Sequence, residues 1–476
     1  MTYKTVPLGE VLRQRKGSIT IDDSADYKLC RVQLHRKGVV LRQIQKGVEI
    51  RTKKQQVCKA GDFIVAEMDA KVGGYGFIPA ELDGAIVSSH YYLFEVNESK
   101  LLPAYLQVLT QTDYIQSQIK ATGSTNYASI RPHEVLELTI PLPSPEEQQI
   151  IVEHYQLAKE KTRVIIDELQ AQQTLLTKLR QAILQEAVQG KLTAKWRGSS
   201  KENQPVTQGV PDSGPVRTAT QPETGADLLA RIRAEKAELI RQGKLRKEKP
   251  LPPITDAEKP FNLPEGWVWC RLGEVKVLSE AGKSFLCNER SCQGEEWGVI
   301  KMSAISSGKF IETENKYYRD SLSESLLANK IVEADFLITR ASGSPELVGR
   351  SVVVSSINKN LLLNDKTIRY VFAHGVESNY INLVNNSDFV RAYYRKTVSA
   401  TSTTMKNITR EQINSLSIPL PSYAEQQSIV TLVERLLQQV NRLEAENKQQ
   451  QEEVGRLMQA VLREAFVINN KFQEEF

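Results

Sequence analysis

IPLPSPEEQQIIV (140–152) occurs again as IPLPSYAEQQSIV (418–430), with ten of thirteen positions identical at a constant offset of 278. A long helical pattern runs behind each copy. In the first, Ile151, Tyr155, Ala158, Thr162, Ile165, Leu169, Gln172, Leu176, Leu179, Ile183 and Ala187 recur at alternating intervals of four and three. Adding 278 gives Ile429, Val433, Leu436, Val440, Leu443, Asn447, Gln450, Val454, Leu457, Val461 and Ala465. This spacing puts one apolar seam on each helix, the pattern of a coiled coil. Ser144 with Glu147, and Ser422 with Glu425, predict a reciprocal capping box at each start; Pro145 suits the first turn, and Gly190 offers a stop. The seams turn polar at Gln172 in one helix and at Asn447 and Gln450 in the other. Two helices laid antiparallel would bring these together, and a polar layer in an apolar seam fixes register at a cost in stability. The alternative is that each helix packs on its own globular domain.

The duplication reaches beyond the helices. Leu8-Gly9-Glu10-Val11 matches Leu272-Gly273-Glu274-Val275 at offset 264, and Gly38 matches Gly308 at 270. Gly61-Asp62-Phe63-Ile64 matches Ala334-Asp335-Phe336-Leu337 at 273, and Thr112-Asp113-Tyr114-Ile115 matches Ser387-Asp388-Phe389-Val390 at 275. Collinear matches with a steadily climbing offset indicate one fold copied, with short loops gained in the second copy. Each half reads as mixed α/β. Strand-like runs are FIVAEM (63–68), AIVSSHYYLFEV (85–96), ELTIPL (137–142), DFLIT (335–339), RSVVVSS (350–356) and TIRYVFA (367–373). Helices are expected from Pro103 through Ile119 and around 379–396.

A chain of 476 residues is too long for one core. It contains no run of eighteen apolar residues, and MTYKTVPLGE lacks the build of a signal peptide, so the expectation is a cytoplasmic protein. Cys30, Cys58, Cys270, Cys287 and Cys292 are too few and too irregular for a disulfide framework, and Cys287 with Cys292 finds no second pair to complete a zinc site. Charge is uneven. Residues 1–60 hold 14 lysines and arginines against five acids, whereas 61–144 hold four against ten. A basic face on a globular half, with acidic rods behind it, fits a polyanion better than a membrane.

Between the strands lie loops dense in Gly, Ser, Thr and Asn with isolated cations: KVGGYG (71–76), TGSTNYASIR (122–131), SSGK (306–309), RASGSPELVGR (340–350) and SATSTTMKN (399–407). Short hydroxyl and amide side chains beside Arg and Lys suit phosphate and base-edge contacts; they are equally ordinary turn residues. Residues 198–224 read as a flexible linker, followed by a basic amphipathic helix at 227–249. Trp267 and Trp269 read as packing residues.

Catalytic signatures do not emerge. Gly73-Gly74-Tyr75-Gly76 lacks the spacing of a methyl-donor loop, Pro252-Pro253 has no acid before it or aromatic after it, and there is no P-loop. Asp62, Asp69 and Lys71 suggest a metal-dependent nuclease, but the second copy keeps only Asp335, matching Asp62, and nothing like Asp69 and Lys71. The chain reads as a binder.

Two globular halves, each ending in IPLP-S-x-x-EQQ and a long coiled-coil helix, resemble the specificity (S) subunit of type I restriction–modification systems, as do LRQAILQEAVQGKLTAKWR (179–197) and LPEGWVWCRLGEV (263–275). The resemblance implies duplicated α/β (α+β) domains, each followed by a long helix, the two helices pairing antiparallel with pseudo-twofold symmetry. It implies target recognition domains at 1–144 and 261–422, a central spacer helix at 145–190, a flexible linker with the basic helix at 191–260, and a distal spacer helix at 423–467. Each domain would read one part of a split double-stranded DNA target, without an active site. The helices would dock two modification (methyltransferase) subunits, and restriction (motor-nuclease) subunits would join. S-adenosylmethionine, ATP and Mg2+ are expected on those partners and no cofactor in this chain. Candidate DNA contacts are Arg31, Arg36, Lys37, Lys53, Lys54, Lys71, Tyr75, Ser124, Asn126 and Arg131 in the first half. In the second they are Lys301, Lys309, Arg340, Ser342, Ser344, Arg350, Thr403 and Lys406. The competing readings are a single-chain methyltransferase or restriction enzyme, and a coiled-coil scaffold that does not read DNA.

Overall fold

The computed structural model describes residues 3–119, 129–199, 223–306, 308–320, 323–400 and 405–467. It divides into one unit of residues 1–173 with 446–476 and another of 174–445. The two long helices, Pro145–Val188 and Tyr423–Val467, pass through both.

Each unit holds the same four-stranded antiparallel sheet. In the first its order is Leu12–Gln14, Tyr91–Val96, Phe63–Ala66, Tyr75–Phe77; in the second it is Lys276–Ala281, Thr367–Phe372, Phe336–Thr339, Ser351–Val353. The copy extends to register. Phe63 sits opposite Phe94 and Phe77, and Phe336 opposite Tyr370 and Val353. The central strands are buried on both faces, Phe63 and Val65 packing with Tyr105 and Leu109 of a helix and Ile64 and Ala66 with Cys30, Val32 and Val39, so the runs are continuously apolar rather than alternating.

The second sheets differ. The first unit has five strands in the order Ser18–Thr20, Lys54–Val57, Ile86–Val87, Asp26–Val32, Val39–Lys46; the second has four, Cys287–Asn288, Asn315–Tyr318, Trp297–Ile300 and Asn360–Leu362. The hairpin of Asp26–Val32 and Val39–Lys46 has no strong strand signature. It is an edge hairpin with polar residues on both faces, so neither the alternation nor the apolar run that marks a strand is present. Each expected helix before the junction is broken in two. Pro103–Thr110 gives way to Asp113–Gln118, and Ser378–Asn385 to Asp388–Thr397. In the first, Thr112 Oγ1 accepts from the Tyr114 amide and restarts the helix.

The repeated junction has a physical origin. Gln148 and Gln426, the first glutamines of the two EQQ triplets, are wholly buried at 0% exposure. Gln148 Oε1 accepts from the Leu102 amide (2.8 Å), and its Nε2 donates to the carbonyls of Lys100 and Pro143. Gln426 repeats this with the Glu377 amide (2.8 Å) and the carbonyls of Gly375 and Pro421. Tyr105 and Tyr380 donate to the carbonyl of the first proline of each IPLP, Pro141 and Pro419, at 2.9 and 3.0 Å. The motif thus locks the start of each long helix to its own domain.

One capping expectation is corrected. Ser144 and Glu147 form the reciprocal box, each accepting from the other's amide. At the second helix Ser422 Oγ accepts from the Glu425 amide, but the Glu425 carboxylate does not return; it turns to Trp267, Thr193 and Arg197. The first helix does stop at Gly190, which has φ 69°, and a Cβ there would meet Trp267 at 2.8 Å.

The seam is narrower than its heptads suggest. Within the first unit Thr162 meets Met458, and Asn447, buried, donates to the Leu169 carbonyl (3.1 Å) and to Gln172 Oε1 (3.3 Å). In the second unit Arg180 reaches Glu444 (2.8 Å) and Asn441 (2.5 Å). Rising numbers on one helix meet falling numbers on the other, so the pairing is antiparallel. The polar layer is Gln172 and Asn447 with Gln451, which donates to Asn447 in the place expected for Gln450. Along the middle of each helix, one of the two expected seam residues per heptad faces solvent: Ile165, Leu179, Leu443 and Leu457 are 43–56% exposed.

The stretch expected as a linker is split as well. Residues 200–222 lie outside the described residues. The basic helix runs Gly225–Arg241 and buries Leu228, Leu229 and Ile232 in the core of the second unit. Buried Arg271 then holds the following segment, donating to the carbonyls of Pro252 and Pro253 and to Glu258. Residues 225–260 therefore belong to the second globular half.

Candidate nucleic-acid interface

In the first unit two loops expected to be basic meet. The turn of the edge hairpin, with left-handed backbone at His35 and Arg36 (φ 59° and 62°), hydrogen-bonds to KVGGYG through His35 N to the Val72 carbonyl (2.8 Å) and Arg36 N to the Gly73 carbonyl (3.0 Å). Gly73 is required there, since a Cβ would stand 2.9 Å from the Arg36 backbone. Arg36, Lys37 and Lys71 are thereby brought to one tip, with Lys37 and Lys71 exposed. Arg36 is held from the side by Asp113 (2.9 Å) and the Gln111 carbonyl. Arg31 is exposed on the same hairpin.

A second basic area lies along Lys54–Val57. Lys54 lines an open groove of about 540 Å³ together with Arg15, Lys16, Gln55 and Gln56. Lys16 was not singled out from sequence; its signal is the cluster Arg13-x-Arg15-Lys16. Lys53 does not share this groove's role, because its Nζ is tied to the Gly47 carbonyl (2.8 Å) and to Asp23. Arg131 ion-pairs with Glu67 (2.8 Å), which also meets His90.

Tyr75 is a correction. It is 2% exposed, packed near Phe63, and its hydroxyl has no hydrogen-bond partner among the described residues. Burial pushes its hydroxyl pKa up to about 12. Its place in a Gly-rich loop hid that it begins a buried strand. Ser124 and Asn126 lie outside the described residues.

In the second unit RASGSPELVGR meets SATSTTMKN. Ala341–Ser342 pairs with Lys406–Asn407, which pairs with Ser399–Ala400, and the Ile408 amide donates to the Arg340 carbonyl (2.9 Å). Arg340, Ser344 and Lys406 are half-buried at this small sheet, whereas Ser342 is buried, accepting from the Ser344 amide; it shapes the loop rather than its surface. Arg350 folds back toward the Glu346 carbonyl (3.4 Å). Lys301 is half-buried and Lys309 exposed on a separate loop. Thr403 lies outside the described residues. Trp267 and Trp269 pack, the latter against Phe261 (5.1 Å) and Phe389 (6.2 Å).

Asp62, Asp69 and Lys71 do not assemble as a catalytic group. Buried Asp62 takes a bidentate ion pair from Arg15 and accepts from the Lys59 amide; Asp335 takes one bond from Arg369 (3.1 Å) and accepts from the Val332 amide. Both hold the turn before the central strand.

Residues 1–163 and 264–453 match the family of type I restriction modification DNA specificity domains. This chain belongs to that family. Its specificity-domain relatives include the type I restriction enzyme EcoEI specificity subunit of Escherichia coli, 35% identical over 261 residues, which are 54% of this chain and 39% of that protein. The EcoAI specificity subunit of Escherichia coli is 26% identical over 353 residues, 73% of this chain and 52% of that one. The chain thus spans about two fifths to one half of these two relatives. Among solved structures, a chain from work on complex assembly and conformational transition of the type I R-M system superposes with a TM-score of 0.60 at 18% identity, covering 98% of this chain and 97% of its own. The HsdS subunit from Thermoanaerobacter tengcongensis gives 0.51 at 19%, covering 98% and 96%. At these identities the likeness is one of fold, and it agrees with the duplicated sheets and long helices described above. No helix among the described residues is long and apolar enough to cross a membrane.

Proposed function

We propose that this chain is the DNA sequence-recognition subunit of a type I restriction–modification complex and has no active site of its own. The observation that carries this is duplication of the tip. Both halves bring cationic loops together beside the same hairpin, at Arg36, Lys37 and Lys71 in one and at Arg340, Arg350 and Lys406 in the other. Each half would read one part of a split double-stranded target, cations on phosphate setting position and a few polar groups reading base edges.

The exposed apolar positions Ile165, Leu179, Leu443 and Leu457 are what a helix pair needs for docking other subunits. Two modification subunits are the proposed occupants, with restriction subunits joining them. S-adenosylmethionine, ATP and Mg2+ would be bound by those partners, target adenines being flipped into the modification subunit, and the complex would work in the cytoplasm. A methyl-transfer assay tests this reading. The chain alone should transfer nothing, and adding a modification subunit should methylate a split sequence. Methylation by the chain alone would establish the single-chain enzyme instead, and a complex with no sequence preference would leave only a scaffold.

A further inference from the structure

Position 116 in the first half corresponds to position 391 in the second, at the offset of 275 that relates Asp113-Tyr114-Ile115 to Asp388-Phe389-Val390. The same offset relates two short 3-10 turns, Ala70–Val72 and Pro345–Leu347, which form the tips between the third strand of each repeated sheet and its edge strand, Tyr75–Phe77 or Ser351–Val353. A left-handed glycine follows each turn, Gly73 with φ 79° and Gly349 with φ 76°. Side chains from the equivalent helix positions reach equivalent atoms. Gln116 Nε2 donates to the Lys71 carbonyl (2.9 Å), and Arg391 Nη2 donates to the Glu346 carbonyl (2.9 Å) and the Val348 carbonyl (2.7 Å).

We infer that Gln116 and Arg391 are a duplicated pair of positioning residues, each clamping the tip through which its own half reads DNA; this rests on the DNA-reading function proposed above. In the first half the clamped tip in turn holds His35 and Arg36 through the backbone bonds of Val72 and Gly73, so one amide sets both basic loops. In the second the clamp closes RASGSPELVGR at its far end, between Ser344 and Arg350.

Arg391 is an expensive way to fill a core. It is 3% exposed, it makes no salt bridge among the described residues, and its Nε and Nη1 have no hydrogen-bond partner there. Its guanidinium lies over the Tyr394 ring at 5.2 Å. Burial, with Arg350 close by, pushes its pKa down to about 10. A buried cation lacking a carboxylate is costly compared with an apolar side chain of its size. What that cost secures is two carbonyls of one loop.

The test uses the full chain assembled with a modification subunit and a duplex library randomised in both halves of the target. Arg391→Ala should lower selectivity about tenfold in one half-site and leave the other unchanged, since one base readout is worth about that factor. Arg391→Gln, which installs the group the first half uses, should restore most of it. Gln116→Ala, at a half-exposed position that does not threaten folding, should relax the opposite half-site. A wild type that selects both half-sites, with Gln116→Ala and folded Arg391→Ala selecting identically, would overturn the clamp alone. So would Arg391→Gln behaving no better than Arg391→Ala. A wild type that selects neither half-site would instead overturn the DNA-reading function.

Discussion

The carboxylate of Glu425 accepts a hydrogen bond from the Trp267 indole Nε1 at 2.9 Å. Its other oxygen accepts from Thr193 Oγ1 (2.7 Å) and pairs with Arg197. Glu147, its counterpart in the first copy, caps its own helix. The same glutamate therefore has two jobs, and the second copy uses it to bind the end of the first long helix to the second domain. Glu425→Ala should cost roughly 3 kcal/mol or more, because it strands a buried indole and an arginine. Glu147→Ala should cost about 1 kcal/mol, the value of a cap. Denaturant unfolding of the full chain measures both. Equal losses would mean that the buried cluster adds nothing to the cap.

The Arg271 guanidinium holds the Glu258 carboxyl down at about 2, below its ordinary value of 4.5. A carboxylate whose folded pKa is depressed stabilises the fold above its unfolded pKa and loses that contribution as the pH falls toward the folded value. The segment carrying Pro252, Pro253 and Glu258 should therefore come loose between about pH 4.5 and pH 2. Hydrogen exchange of residues 250–260 should rise across that window. Glu258→Gln should show raised exchange already at neutral pH and a flatter response. An unchanged pH response in the variant would refute the assignment.

The repeat, the central strands and the antiparallel helices were legible because they depend on local pattern: β-branched runs, heptads, and a motif whose buried glutamines make the same bonds in both copies. Tyr75 and Ser342 were misplaced for the opposite reason. Glycine and serine have the same sequence signature whether they bend a loop outward or let a strand edge turn inward, and only the packing of Phe63 or the Ser344 amide decides between them. The fate of Glu425 was also invisible, since its partner Trp267 lies 158 residues away. Exposure of Ile165 and Leu457 could not be read from the seam either; apolar residues at heptad spacing look alike whether they face a helix of this chain or the outside.

Lys53 and Lys54 adjoin in sequence, but their side chains are engaged differently. Lys54 stands in the groove with Lys16, while Lys53 stitches Asp23 and Gly47 together. Lys54→Ala should weaken binding to all DNA alike and flatten the salt dependence by about one unit of slope. Lys53→Ala should leave the slope nearly unchanged and loosen the 22–27 turn. Titrations at several salt concentrations, on cognate and random duplexes, separate the two. A slope change for Lys53→Ala as large as for Lys54→Ala would show that Asp23 does not hold it in solution.

The two glutamines of each EQQ triplet should differ sharply in what they contribute. Gln148 and Gln426 are wholly buried and satisfy one amide and two carbonyls apiece, whereas Gln149 and Gln427 are exposed. Truncation to alanine at Gln148 removes a donor and an acceptor at once. The Leu102 amide and the carbonyls of Lys100 and Pro143 would then lie buried without partners, and each unsatisfied group costs about 1–3 kcal/mol. Water entering the space left by the side chain would recover part of that. A loss of roughly 3 kcal/mol is expected for Gln148→Ala and again for Gln426→Ala, with each loss confined to its own domain. Gln149→Ala and Gln427→Ala should stay within about 0.5 kcal/mol of wild type, as surface changes do. Because each buried glutamine ties a long helix to one domain, the first pair of variants should also raise hydrogen exchange at 100–103 or at 375–378 respectively. Stability losses for Gln149→Ala matching those for Gln148→Ala would show that the motif acts through helix propensity and not through the buried bonds.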